Sequence, residues 1–135
     1  MDTIKFTALP EQSNSMRESL RVLRNNIQFC GDDVKVILVT STVPDEGKST
    51  VAFNLARSFS ESDKRVLLVD TDMRKSVLAN RLHATNEKQN GIIYGLAHYL
   101  SGQKKLTESI YATDVYNLFV MFAGSNVPNA TELLE

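Results

Sequence analysis

The chain has 135 residues, of which 42% are hydrophobic and 23% are charged, as is typical of one soluble globular domain. The 15 basic and 16 acidic side chains give a net charge of -1, which argues against a strongly basic nucleic-acid-binding protein. No apolar run approaches the roughly 20 residues of a membrane-spanning helix. The first residues lack the pattern of a secretory signal, and the single cysteine, Cys30, excludes an internal disulfide and fits a reducing cytoplasm.

The first half of the chain is predicted to contain a helix, a strand and a second helix. Residues 1–14 are expected to form an irregular or extended arm. Apolar residues then recur at helical spacing over Ser15–Phe29, and Gly31 ends this helix. The β-branched run Val34–Val39 predicts a short buried strand, and a polar loop separates it from a helix that begins near Ser49.

The second half is predicted to alternate between strands and helices in the same way. In chain order the expected elements are a buried strand at Arg65–Val69, a short helix near Val77–Leu82, a helix within Gly91–Leu100 capped by Gly102, a strand at Asn117–Ala123, a loop at Gly124–Asn129 and the start of a helix at Ala130–Glu135.

The order strand, helix, strand between Val34 and Val69 predicts a βαβ unit, and therefore an α/β domain with a parallel sheet. Ligands of such sheets bind at the carboxyl ends of the strands. The polar segments that follow Val34–Val39 and Arg65–Val69 are therefore expected to lie at one functional edge.

The first of these polar segments contains a phosphate-binding pattern. Gly47, Lys48 and Ser49 match the second half of the P-loop, although Thr42 stands where the motif usually opens with glycine. Gly47 allows the backbone close to a phosphate, Lys48 can reach the β- and γ-phosphates, and the Ser49 hydroxyl can bind Mg²⁺. The predicted nucleotide-binding residues are Thr42, Val43, Pro44, Asp45, Glu46, Gly47, Lys48, Ser49 and Thr50. A helix start that carries Gly-Lys-Ser by chance is the alternative, and the strand before and the helix after favour nucleotide binding.

Two carboxylates follow the second buried strand. Asp70 and Asp72 can hold Mg²⁺ through water or accept a proton from an attacking hydroxyl group. The alternative is that Asp70 caps the following turn. Arg74 and Lys75 come next, and contact with phosphate, contact with another subunit and plain solvation stay open for them.

These motifs together resemble the bacterial protein-tyrosine kinases of capsular and exopolysaccharide biosynthesis, a family of P-loop proteins. The resemblance rests on the runs VTSTVPDEGKSTVAFNLA and RVLLVDTDMRKS, which match the Walker A and Walker A′ motifs of the family. Glu18, Arg21 and Arg24 match its ExxRxxR helix, and Gly95-Leu96 is a later landmark. The resemblance covers the chain from about residue 15 to its end.

The resemblance implies a three-layer P-loop fold over residues 15–135 and an ATP- and Mg²⁺-dependent autokinase that phosphorylates tyrosine. In that case Lys48, Asp70 and Asp72 are the catalytic residues, and Ser49 joins the two aspartates at the metal. The resemblance also implies self-association through Glu18, Arg21 and Arg24; the alternative is an exposed helix face with charge pairs three residues apart. The implied partner is a membrane-embedded polysaccharide co-polymerase or activator, and the implied location is cytoplasmic, peripheral at the inner face of the cell membrane.

The sequence also departs from the family. In the family, a Walker B strand and a tail of clustered tyrosines both lie downstream of the segment that Asn117–Leu134 resembles. This sequence stops at Glu135, before both. The sheet is therefore expected to be incomplete at the C-terminus, and the chain by itself to have little kinase activity. Two other functions stay open: a non-catalytic nucleotide-binding paralogue, and a P-loop ATPase of the septum-positioning or chromosome-partitioning type. Val43 argues against the latter, because those ATPases carry lysine at this position.

Overall fold

The computed structural model describes residues 1–40, 47–72, 78–86 and 92–124. The helices in these ranges are α1 (Asn14–Phe29), α2 (Lys48–Glu61), α3 (Leu78–Arg81), α4 (Leu96–Leu100) and α5 (Leu106–Ser109). The strands are β1 (Thr3–Phe6), β2 (Val66–Val69), β3 (Ala84–Thr85), β4 (Tyr111–Thr113) and β5 (Leu118–Met121).

The described strands form one mixed sheet in the order β2-β5-β4-β1-β3. β2 runs parallel to β5 with Val66 opposite Leu118, and β1 runs parallel to β4. The β4–β5 and β1–β3 pairs are antiparallel. The predicted α/β class is therefore confirmed, but the sheet is mixed rather than parallel.

Helix α1 begins and ends where local chemistry requires it. The hydroxyl oxygen of Ser13 accepts a hydrogen bond from the amide of Met16 at 3.1 Å, which caps the first turn. Gly31 follows the helix with φ of 121°, a conformation that glycine adopts without a steric cost. Leu20 is buried, whereas most of the helix surface is exposed. α1 therefore packs through a narrow stripe, and that stripe faces α2.

The core lies between α2 and the sheet. Phe53 of α2 is fully buried and packs edge-to-face on Phe6 of β1, with ring centroids 5.6 Å apart. The buried residues of this core are Ile4, Phe6, Phe53, Ala56, Leu78, Leu82, Tyr111, Leu118, Val120 and Phe122. The N-terminal segment, expected as an arm, thus supplies a strand and two core side chains.

The strand expected at Val34–Val39 does not form. Residues 34–40 carry no strand pairing, and Val36 and Leu38 are 90% and 84% exposed. A β-branched run becomes a strand only where a neighbouring backbone pairs with it. Both sides of β5 are already taken, by β2 on one side and by β4 on the other. The predicted βαβ unit therefore lacks its first strand.

The remaining sequence predictions have mixed outcomes. The helices at Ser15–Phe29 and near Ser49 and the strands at Arg65–Val69 and Asn117–Ala123 are confirmed as α1, α2, β2 and β5. Within Gly91–Leu100 only Leu96–Leu100 is helical, and Gly102 follows α4 with φ of 79°, as a C-terminal cap requires. β1, β3, β4 and α5 were not expected. The loop after Gly124 and the helix predicted at Ala130–Glu135 lie outside the described residues.

The exposure of residues 34–40 leads to a stability prediction. We expect Leu38→Ala to change the free energy of unfolding by about 0.5 kcal/mol or less, because little of the Leu38 side chain is buried in the folded protein. Leu118→Ala, at a side chain that is 2% exposed, is expected to cost about 2–5 kcal/mol. Urea unfolding of both variants measures the difference. An equal loss at the two sites would show that residues 34–40 are packed in solution, as the sequence pattern predicts.

Candidate functional site

The start of α2 carries the described part of the predicted phosphate-binding loop. Gly47 precedes the helix with φ of 81° and ψ of 18°, a left-handed conformation that favours glycine. Its carbonyl oxygen accepts a hydrogen bond from the amide of Val51 at 2.9 Å and so closes the first turn. Lys48 is exposed, and Ser49 and Thr50 are half-buried. The unpaired amides of this turn present positive potential to an anion. The predicted residues Thr42–Glu46 lie outside the described ranges.

Asp70 is held at the carboxyl end of β2 by two backbone contacts. Its amide donates a hydrogen bond to the carbonyl oxygen of Met121 at 2.9 Å, which extends the β2–β5 pairing by one residue. Its carboxylate oxygen Oδ1 accepts a hydrogen bond from the amide of Asp72 at 3.0 Å. The turn contact considered from sequence is therefore present, and it also fixes the carboxylate at the sheet edge. Asp72 is exposed two residues further on.

The electrostatics of Asp70 connect it to the start of α2. Partial burial is the largest influence and raises the pKa of the Asp70 carboxyl above its ordinary value. The hydrogen bond from the Asp72 amide lowers this pKa, the Asp72 charge raises it and the Lys48 ammonium lowers it. The Asp72 and Lys48 charges thus both act on Asp70. The fold brings together Lys48, Asp70 and Asp72, which sequence reasoning had placed at one edge.

The chemistry of these side chains fits a magnesium ion held jointly with a nucleotide. Mg²⁺ in proteins is usually bound by one or two carboxylates together with water and substrate phosphates. Asp70 and Asp72 supply two carboxylates, and Ser49 supplies a hydroxyl in the first turn of α2. Among the residues with described positions, no three His, Cys, Asp or Glu side chains cluster as a cage for a metal. The donor set therefore suits a metal that comes with phosphate.

Gly95 shapes the same edge of the sheet at the neighbouring strand. The amide of Leu96 donates a hydrogen bond to the carbonyl oxygen of Phe122 at 2.7 Å, so that α4 begins directly beside the residues after β5. A Cβ atom at Gly95 would lie 2.3 Å from the Phe122 oxygen and 2.6 Å from the Gly124 nitrogen. Sequence reasoning gave Gly95 only as a family landmark. The structure supplies the physical reason, which is the close approach of two backbones.

His98 fastens this contact from the α4 side. Its Nδ1 accepts a hydrogen bond from the amide of Gly95 at 2.9 Å, and its ring packs edge-to-face on Tyr94 with centroids 5.1 Å apart. Burial lowers the pKa of His98. The neutral imidazole that this favours is the form that can accept through Nδ1. No sequence motif pointed to His98.

The three residues predicted to mediate self-association separate into two groups. Glu18 and Arg21 form an exposed ion pair on α1, with Nη2 and Oε1 2.5 Å apart. Arg24 instead turns towards α2, where its Nη1 donates hydrogen bonds to the Ser58 carbonyl oxygen at 2.8 Å and to the Ser58 hydroxyl at 3.1 Å. Arg24 therefore ties α1 to the helix that carries Lys48, and Glu18 and Arg21 remain on the surface.

Comparison with known proteins places this chain in a family. A family model described as an AAA domain matches residues 34–135. The chain belongs to the AAA domain family. The chain is also 42% identical over 118 residues to the tyrosine-protein kinase CpsD of Streptococcus pneumoniae, and this match covers 87% of this chain and 50% of that protein.

Solved structures of tyrosine kinase domains agree with the fold. The chain is similar to the BceF tyrosine kinase domain, with a TM-score of 0.75 and 38% identity over 88% of this chain and 46% of that one. It is also similar to the kinase domain of the Escherichia coli tyrosine kinase ETK, with a TM-score of 0.79 and 30% identity over 89% of this chain and 46% of that one. The resemblance to bacterial tyrosine kinases is thus confirmed, and the chain spans about half the length of the curated relatives it matches.

The raised pKa of Asp70 predicts a specific pH dependence of stability. The folded protein holds the Asp70 proton more tightly than the unfolded chain does, so this carboxyl lowers the free energy of unfolding as the pH rises from 3.8 through its folded pKa. The stability difference between Asp70→Asn and the parent should therefore grow over that window and then become constant. Urea unfolding at a series of pH values measures it. Asp63→Asn, at the far end of α2, is the control, and a difference that falls with rising pH would contradict the burial of Asp70.

Proposed function

We propose that this chain forms the nucleotide-binding part of an ATP- and Mg²⁺-dependent bacterial protein-tyrosine autokinase. The observation that carries the proposal is the meeting of the α2 start with the carboxyl end of β2, where Lys48 acts electrostatically on Asp70. The similarity to proteins named tyrosine-protein kinases supports the choice of reaction.

Each residue of the site has a role in the proposed transfer. Catalysis of phosphoryl transfer consists mainly of positioning and of neutralising charge on the transferred group. Lys48 supplies a positive charge to the β- and γ-phosphates, and the amides after Gly47 hold the phosphate oxygens. Ser49 and Asp72 would hold Mg²⁺, which when bound neutralises phosphate charge.

Asp70 is the proposed acceptor of the tyrosine proton, or a further group at the metal. The raised pKa of Asp70 makes it a stronger base than an ordinary aspartate. The Asp72 amide donates a hydrogen bond to Oδ1 of Asp70, and Oδ2 of Asp70 is the oxygen proposed to accept the proton. As the base it would take the hydroxyl proton while the tyrosine oxygen attacks the γ-phosphorus. The bond between the γ-phosphorus and the oxygen that joins it to the β-phosphate breaks, and ADP leaves.

The proposal includes the biological setting of the kinase. By resemblance, the chain acts in capsular or exopolysaccharide biosynthesis, at the inner face of the cell membrane, with a membrane-embedded co-polymerase or activator as partner. No helix in the described part of the chain has the length and apolar character needed to cross a membrane. The alternatives are a non-catalytic nucleotide-binding paralogue and a septum-positioning or partitioning ATPase, and the names of the relatives favour neither.

The role of Lys48 is the direct test of the proposed site. We expect Lys48→Met to remove most of the affinity for ATP and Mg²⁺, because the side chain loses the cation that faces the phosphates. Isothermal calorimetry measures the affinity. Lys64→Met is the matched control, since Lys64 follows α2 at its opposite end and is exposed. Equal ATP affinities of Lys48→Met and the control would refute the site.

The same substitution tests the reaction. Residues 1–135 joined to the C-terminal half of the pneumococcal relative should incorporate radiolabelled phosphate on tyrosine, and Lys48→Met should abolish the label. The chain by itself should label far more slowly. A joined protein that binds and hydrolyses ATP without labelling tyrosine would contradict the kinase and favour the ATPase.

The separation of Arg21 from Arg24 predicts different effects for two similar variants. Arg21→Ala should shift the size distribution of the joined protein towards monomer, with little change in stability, because the exposed pair with Glu18 contributes about 0.2–0.5 kcal/mol. Arg24→Ala should lower the free energy of unfolding by about 1–3 kcal/mol, because two hydrogen bonds to Ser58 are lost. Sedimentation velocity and urea unfolding separate the effects. Unchanged association in Arg21→Ala would refute its part in self-association.

A further inference from the structure

The four tyrosines of the chain lie in different surroundings. Tyr111 is 1% exposed, and its hydroxyl oxygen accepts a hydrogen bond from the amide of Tyr94 at 2.9 Å. The Tyr94 ring is half-buried between His98 and the ammonium group of Lys104, which lies 4.3 Å from the ring centroid. Tyr99 is 40% exposed on α4, and Tyr116 is 69% exposed. Tyr116 is thus the most exposed of the four tyrosines.

Tyr116 belongs to a turn that is held in place from within. The Thr113 hydroxyl donates a hydrogen bond to the Leu118 carbonyl oxygen at 2.7 Å and accepts one from the Val115 amide at 3.1 Å. The Leu118 amide closes the turn on the Val115 carbonyl oxygen at 3.1 Å. The Tyr116 side chain itself has no hydrogen bond or ring contact to any residue with a described position. The Tyr116 side chain is therefore exposed to solvent on a turn whose backbone is held by hydrogen bonds.

Tyr116 lies at the opposite end of the sheet from the proposed ATP site. The amide of Val66, which begins β2, donates a hydrogen bond to the carbonyl oxygen of Asn117 at 2.9 Å, so Tyr116 neighbours the start of β2 and Asp70 follows its end. The four residues of β2 span about 13 Å. The 14 residues of α2, which return from Lys48 to this end, span about 21 Å. Tyr116 therefore cannot reach the Lys48 site of its own chain.

We propose that Tyr116 is a phosphate acceptor that another kinase subunit modifies in trans. This inference rests on the proposed function, and it adds an acceptor site at the end of the sheet opposite the ATP site. The Tyr116 oxygen attacks the γ-phosphorus of ATP bound to the other subunit, the phenolic proton passes to the base of that subunit, and ADP leaves. The modified turn gains negative charge beside Asp114, which is exposed.

The experiment uses the Lys48→Met form of this chain as substrate and the pneumococcal relative as the source of phosphoryl transfer. Radiolabelled ATP and Mg²⁺ are supplied, and tryptic peptides of the substrate are mapped by mass spectrometry. We expect label on the peptide that contains Tyr116, its loss in Tyr116→Phe and its retention in Tyr99→Phe. Thermal unfolding confirms that both variants are folded, since both positions are exposed.

Two outcomes would overturn the inference. In the first, label appears on Tyr94, Tyr99 or Tyr111 and persists in Tyr116→Phe. In the second, the substrate stays unlabelled while the pneumococcal kinase labels itself in the same tube. Neither outcome bears on whether this chain binds ATP, because the substrate carries Lys48→Met and the other protein supplies the activity. Failure of the proposed function would appear separately, as unchanged ATP affinity in Lys48→Met.

Discussion

The parallel pairing of β2 with β5 is the constraint on which the site depends. Beyond Val69, the amide of Asp70 still donates a hydrogen bond to the Met121 carbonyl oxygen. This bond fixes the position of Asp70 and therefore of its carboxylate. α2 packs on both strands and delivers Lys48 to the same edge. On β5, the close approach of Gly95 seats the start of α4 beside the strand. A change in β2–β5 register would separate the cation from the carboxylates, because a slip by one residue moves every side chain to the other face.

Local signals predicted the parts of the fold that local chemistry determines. The capped α1, the glycine before α2 and the strand that ends just before Asp70 all follow from spacing, capping and burial patterns. The prediction that Lys48 lies near Asp70 agrees with the structure, although the strand at Val34–Val39 on which that prediction rested does not form. Non-local pairing decided the rest. Val34–Val39 has the composition of a buried strand and lies exposed, whereas Thr3–Phe6, expected as an arm, forms a strand because β4 and β3 lie on either side of it. The contact of Arg24 with Ser58 spans 34 positions in sequence, and no spacing within α1 could indicate it.

The electrostatic design of the site is a partly buried carboxyl near a lysine. Burial raises the pKa of Asp70, and the Lys48 charge opposes that rise, so the charge state of the carboxyl depends on what else occupies the site. A nucleotide brings negative charge that competes for Lys48, whereas a metal ion favours the ionised carboxylate. Arg24 connects this balance to α1, because its guanidinium holds the helix that starts at Lys48. The proposed association through the exposed Glu18–Arg21 pair and the proposed nucleotide binding therefore involve two helices in direct contact.

Gly47–Ser49 and the two aspartates are proposed to form one site for a metal nucleotide. Mn²⁺ suits the same oxygen ligands as Mg²⁺, and its unpaired electrons broaden the NMR signals of nearby nuclei. Amide spectra recorded with ATP and a low proportion of Mn²⁺ measure this directly. We expect strong broadening of the Gly47, Asp70 and Asp72 amides, only in the presence of ATP, and sharp signals for Asp63 and Asn117 at the other end of the sheet. Broadening at Asn117, or sharp signals at Gly47 and Asp72 with ATP bound, would contradict a shared metal-nucleotide site at these residues.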